Sequence, residues 1–178
     1  HKGLGPKADI LFSKSPKVTH IAPKRFDRMI APYALPLMNT PIISVAVIRE
    51  PIDWLGSWYR YRQRPETLHS PNSTKNISFD TFVENYLSDD KPQYAKVGRQ
   101  AQFITGGGDT PLVTQLWRYD AISDLSVFLR VHLGINFTLD TVNVSPKRDL
   151  SLSDQNRAAL TSHFAKDYDL YENAIGNN

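Results

Sequence analysis

The chain has 178 residues, 21 Lys/Arg against 18 Asp/Glu, a formal charge of +3 and no cysteine. That composition excludes a disulfide framework and a thiolate metal site, and the length suits one globular domain with an ordinary core. No apolar run approaches the roughly 20 residues that cross a bilayer, so no membrane span is expected, and the lack of cysteine fits a cytoplasmic protein.

The charge is unevenly spread. Residues 1–64 carry 11 Lys/Arg against 4 Asp/Glu, whereas residues 65–178 carry 10 against 14. A basic first half suggests an anionic ligand. Nucleic acid is not the expected partner, because neither a recognisable nucleic-acid motif nor a sustained basic stripe is present.

The opening segment is basic and broken by Gly and Pro. Lys2-Gly3-Leu4-Gly5 is not a phosphate loop, since Pro6 and scattered polar residues follow it instead of a helix start. Lys17–Ile21 reads as a short strand and Pro23–Ile30 as a helix begun by Pro23. His20 then stands at a strand end, where an imidazole near neutral pKa could take a proton from a hydroxyl. Lys24 and Arg25 adjoin the same turn.

Pro41–Arg64 is the organising stretch. Ile42–Ile48 is β-branched and apolar, too short for a helix, and predicts a strand buried on both faces. Arg49 ends it, and Pro51 begins a helix with its φ already set. Ile52, Leu55, Tyr59 and Arg62 share one helical stripe; Trp54, Trp58 and Tyr61 share the next. Arg49 and Ser57 stand eight residues apart. A guanidinium leaving the strand's carboxyl end and a hydroxyl two turns along could both reach one phosphate.

Pro65–Asn76 predicts a long, mobile loop. Ser78 is the expected N-cap of a helix through Phe79, Phe82, Val83, Tyr86 and Leu87, and a second helix is expected over Tyr94–Ile104. Arg99 and Gln102 are the polar groups there that could meet a substrate. Gly106-Gly107-Gly108 is a turn, not a nucleotide loop. Val113–Tyr119 alternates like a strand, Asp120 is placed to cap a helix over Ala121–Leu133, and Gly134 stops it. In the last stretch, Asn143, Ser145, Lys147 and Arg148 fall in a loop before a helix expected to be capped by Ser151, with Asp154 in capping-box position. That helix should bury Leu152, Leu160 and Phe164, with Tyr168, Leu170 and Tyr171 as a terminal cluster.

The stretch VIREPIDWLGSWYRYR resembles the 3′-phosphate-binding element of bacterial-type sulfotransferases that use 3′-phosphoadenosine 5′-phosphosulfate (PAPS). LWRYDAISDLSVFLRVHLG and the closing Asn-x-Ser loop, helix and Phe…Asp-Tyr-x-x-Tyr tail are similar to the same family. The resemblance covers roughly residues 17–64 and 112–175. It implies an α/β three-layer domain with a mostly parallel sheet, P-loop-NTPase-like, spanning 1–178 as a single domain. It further implies PAPS as co-substrate without a metal, Arg49 and Ser57 on the 3′-phosphate, Lys147 and Arg148 closing over it, and His20 as base toward an unidentified acceptor hydroxyl or amine, a carbohydrate being one candidate. The family's strand and Lys-containing 5′-phosphosulfate loop are not recognisable here, as expected if the sequence is a fragment, if that segment is missing, or if this member does not bind the cofactor in the usual way. A non-catalytic nucleotide-binding domain of the same fold, or a P-loop-type phosphotransferase, are the alternatives.

Overall fold

A computed structural model describes residues 22–38, 41–139 and 149–176. Among them the protein is α/β, with eight α-helices and a small parallel sheet of two strands. No helix among the described residues is long and apolar enough to cross a membrane. The sheet is small among the described residues, and the strand expected over Lys17–Ile21 lies outside them.

Two compact units are present. One comprises the described residues within 1–47, 102–140 and 174–178, the other those within 48–101 and 141–173. In the first, helix α1 (Pro23–Met29) starts on a proline, as expected, and is followed by the short α2 (Ala31–Ala34). Strands β1 (Val45–Ile48) and β2 (Gln115–Arg118) lie side by side. Their register is set just ahead of β1: the Gln115 N–H donates to the Ser44 carbonyl at 3.0 Å, and the Thr114 N–H donates to Ser44 Oγ at 2.9 Å. On the opposite edge of β2, Ile175 forms a parallel bridge with Trp117. Gly176 makes that approach possible, because its φ is +102° and a Cβ there would sit 2.3 Å from Ala121 Cβ.

β1 departs from the expected strand in length and burial. It is shorter than Ile42–Ile48, and although Ile48 is fully buried, Val47 is 39% exposed. With Ile43 44% exposed as well, the β-branched run is not buried on both faces. Helix α6 (Ile122–Leu133) packs on β2 through Leu125 and the Trp117–Phe128 contact, with ring centroids 5.4 Å apart. Its C-terminal stop is Gly134 in the left-handed region at φ +65°, as expected. Asp120 does not cap it. Arg118 takes both Asp120 oxygens, at 3.0 and 2.6 Å, and the chain makes a 3₁₀ turn over Tyr119–Ala121 before the helix begins.

The second unit is built on a helical core. Helix α3 (Pro51–Tyr61) contributes Leu55 and Tyr59; α4 (Phe79–Leu87) contributes Phe79, Phe82, Val83 and Tyr86. Helix α7 (Asp154–His163) adds Leu160, which with Phe164 completes the cluster; α8 (Ala165–Glu172) follows directly. Burying one such side chain is worth roughly 1.5–3 kcal/mol. The predicted stripe of α3 holds in part: Leu55 and Tyr59 are interior and Trp58 and Tyr61 exposed, but Trp54 of the second stripe packs against the core, edge-on to Phe164. Ser78 caps α4 as expected, accepting from the Thr81 N–H.

Three expectations are corrected here. Ser153, not Ser151, caps α7: its hydroxyl accepts from the Asn156 N–H while its own N–H and O–H donate to Asp80 of α4. Ser151 is occupied locally by Asp149. Tyr94–Ile104 is not one helix but a 3₁₀ turn over Gln93–Ala95 and then α5 (Gln100–Thr105). The Arg62 guanidinium donates to the carbonyls of Tyr94 and Lys96, and Gly98 interrupts the segment, so a continuous helical ladder does not form. Finally, the 65–76 loop is anchored. Thr74 is fully buried, its hydroxyl donating to Tyr59 O at 2.8 Å and its N–H to Arg62 O at 3.1 Å.

Candidate functional site: the turn from β1 into α3

The sequence Ile48-Arg49-Glu50-Pro51 converts a strand into a helix within a few residues. Pro51 occupies the first helical position, where its missing N–H costs nothing. Glu50 supplies the cap: one carboxylate oxygen accepts from the Asp53 N–H at 2.6 Å and the other from the Tyr168 hydroxyl, also at 2.6 Å. Burial and that hydrogen bond to Glu50 raise the Tyr168 phenol above its ordinary range, so it remains a donor. The helix start is thereby tied to α8.

Arg49 is held by its backbone. The Gln100 carboxamide accepts from the Arg49 N–H at 3.0 Å and donates to the Arg49 carbonyl at 2.8 Å. A side chain here reproduces the paired hydrogen bonds of a neighbouring strand. The guanidinium then runs along α3, where its Nε donates to Asp53 Oδ2. The other Asp53 oxygen accepts from Arg60 Nη2 at 3.2 Å. Asp53, Ser57 and Arg60 are spaced i, i+4, i+7, so they line one face of α3 with Ser57 half-buried between the two charged groups. The Arg49 side chain is 27% exposed and that of Arg60 17%, against 44% for Asp53.

Of the residues singled out from sequence, Arg49 and Ser57 fall on this turn and this face. His20, Lys147 and Arg148 lie outside the described residues. Arg99 is committed elsewhere: its Nε and Nη2 donate to Asp167 Oδ2 at 3.2 and 2.6 Å, and Asp167 is fully buried, its other oxygen accepting from the Ala101 N–H. Lys24 donates to the Gly106 carbonyl at 3.0 Å, and Gln102 is exposed. Sequence reasoning missed Asp53, Arg60, Glu50 and Gln100. The first two carry a readable signal, a carboxylate four residues after one arginine and seven before another. Gln100, 51 residues from Arg49, carries none.

Such an arrangement can hold an oxyanion. It offers guanidinium donors from two directions and a hydroxyl between them, on a backbone fixed at both of its polar groups. No protein-family model, curated protein or solved structure matches the chain.

Proposed function

We propose that the protein is a PAPS-dependent sulfotransferase, moving a sulfuryl group from PAPS to an acceptor hydroxyl or amine, and that the β1–α3 turn holds the 3′-phosphate of the nucleotide. One observation carries this reading. Arg49 leaves the carboxyl end of a parallel strand with its peptide clamped by Gln100, and its guanidinium pairs with Asp53 of α3, one turn before Ser57. Ligands of α/β sheets bind at that end of the strands. A P-loop-like three-layer fold belongs to the same reading.

In the transfer, the sulfur–oxygen bond to the 5′-phosphate breaks as the acceptor oxygen or nitrogen bonds to sulfur. The acceptor proton passes to a base, for which His20 is the candidate, and 3′-phosphoadenosine 5′-phosphate (PAP) leaves. Anchoring the 3′-phosphate supplies position, which in group transfers of this kind is a large part of catalysis. Lys147 and Arg148 would add charge over the same phosphate. No metal has a part in this scheme.

The test is release of PAP from PAPS in the presence of a mixed acceptor panel of phenols, amines and oligosaccharides. Acceptor-dependent release that falls at least tenfold in Arg49→Ala supports the reading. Binding of PAP without release on any acceptor would leave a non-catalytic nucleotide-binding domain.

A further inference from the structure

The geometry points to Arg60 as the second guanidinium of the anion site and to Asp53 as its internal occupant, a carboxylate that a phosphate monoester dianion displaces. This deepens the 3′-phosphate reading above and rests on it. Its basis is the division of one carboxylate between two cations. Arg49 Nε meets Asp53 Oδ2, whereas Arg60 Nη2 meets Oδ1, so the carboxylate lies between guanidiniums that reach it from the preceding turn and from two turns beyond. Ser57 stands between Asp53 and Arg60 on the same face.

Charge decides which ligands can take that place. Asp53 brings two oxygens and one negative charge to two arginines. A phosphate monoester brings three terminal oxygens and a charge of about −1.5 to −2 at neutral pH, enough to match both guanidiniums and to leave an oxygen for the Ser57 hydroxyl. A phosphodiester brings a single charge and gains nothing over the resident carboxylate. The two arginines are 17% and 27% exposed and Asp53 44%, so water screens this competition only in part. Asp53 thus sets a charge threshold: it admits a terminal monoester and rejects a diester of the same nucleoside.

The experiment is calorimetric titration of the full chain with PAP, 3′-AMP and 3′,5′-cyclic AMP, using wild type, Arg49→Ala, Asp53→Asn, Arg60→Gln and Arg60→Lys, each checked for an unchanged unfolding midpoint. Arg60→Gln should weaken PAP about tenfold, with Arg60→Lys recovering part of the loss. Asp53→Asn should tighten cyclic AMP by about 3–10-fold and narrow its gap to 3′-AMP, because the competing charge is gone. Folded Arg60→Gln that binds PAP within twofold of wild type, or Asp53→Asn that binds both nucleotides more weakly, would overturn the inference. If Arg49→Ala abolishes PAP binding while Arg60→Gln does not, the charge threshold falls and the 3′-phosphate reading stands. If 3′-AMP binds through Arg49 and Arg60 but PAPS never loses its sulfuryl group, the anion site stands and the sulfotransferase reading falls. Wild type that binds none of the three nucleotides removes both.

Discussion

Gln100 closes both backbone hydrogen bonds of Arg49, accepting from its N–H at 3.0 Å and donating to its carbonyl at 2.8 Å. One side chain therefore does the work of a strand at the place where the chain turns from β1 into α3. Replacing Gln100 with Ala strands a part-buried donor and acceptor at once, an expected loss of about 1–3 kcal/mol. Gln100→Glu, which keeps an acceptor but no donor, should fall between the two in urea unfolding. Equal stability of all three would show that water serves Arg49 as well.

Asp167 is the buried partner of Arg99 and of the Ala101 N–H. Removing it leaves an arginine and an amide facing a nonpolar interior, and losing one partner of a buried pair costs about 3–5 kcal/mol. Because the Arg99 side chain is 33% exposed, Asp167→Ala should come out near the lower end, about 3 kcal/mol. Chemical denaturation measures it directly.

His163 lies edge-on to Tyr86 and Phe164, with Arg99, Lys91 and Asp167 as the charged groups acting on it. Burial, then the cations Arg99 and Lys91, hold its pKa below the ordinary histidine value, and Asp167 opposes them only in part. The unfolded chain therefore binds a proton more readily than the folded one. Stability should be constant above about pH 7, then decline as pH drops below the unfolded value of about 6.5 and level off below the depressed folded value. Urea midpoints at pH 8 and pH 5.5 give the slope, and His163→Phe should flatten it. A variant that keeps the full decline would assign it to another group. Asp80, whose carboxyl is lowered chiefly by the Ser153 N–H, titrates in a more acid window, below about 3.8.

The cap of α7 is a direct test of two serines two residues apart. Ser153→Ala should cost about 0.5–2 kcal/mol through loss of the Asn156 hydrogen bond, with the contact to Asp80 lost as well. Ser151→Ala should be nearly silent, since its hydroxyl binds only the exposed Asp149 nearby.

The β1–α3 unit was readable because its signals are local. A β-branched run ends in Arg49, Pro51 fits only at a helix start, and Leu55 and Tyr59 recur at helical spacing. Ser78 and Gly134 are equally local and took the expected places. Asp120 was lost to a neighbour, Arg118, two residues away, but three other misses have partners remote in sequence. Arg62 draws the carbonyls of Tyr94 and Lys96 out of a helix from more than thirty residues away. Asp80 selects Ser153 over Ser151 across 73 residues, and Gln100 reaches Arg49 across 51. At the β1–α3 turn, the spacing of Arg49 and Ser57 placed them at the strand end and along α3, whereas one carboxylate, Asp53, divided between Arg49 and Arg60 shows only in the side-chain geometry.

The most direct measurement of the central claim is thermal unfolding with and without PAP, repeated with ADP and with Arg49→Ala. PAP at about 100 times its dissociation constant adds roughly 2.7 kcal/mol, a rise in Tm of about 5–10 °C for a chain of this size. The expected result is a rise given by PAP, not by ADP, and absent in Arg49→Ala. A chain whose Tm is indifferent to PAP, or that responds equally to ADP and keeps the response without Arg49, would contradict the assignment of this turn to a 3′-phosphate.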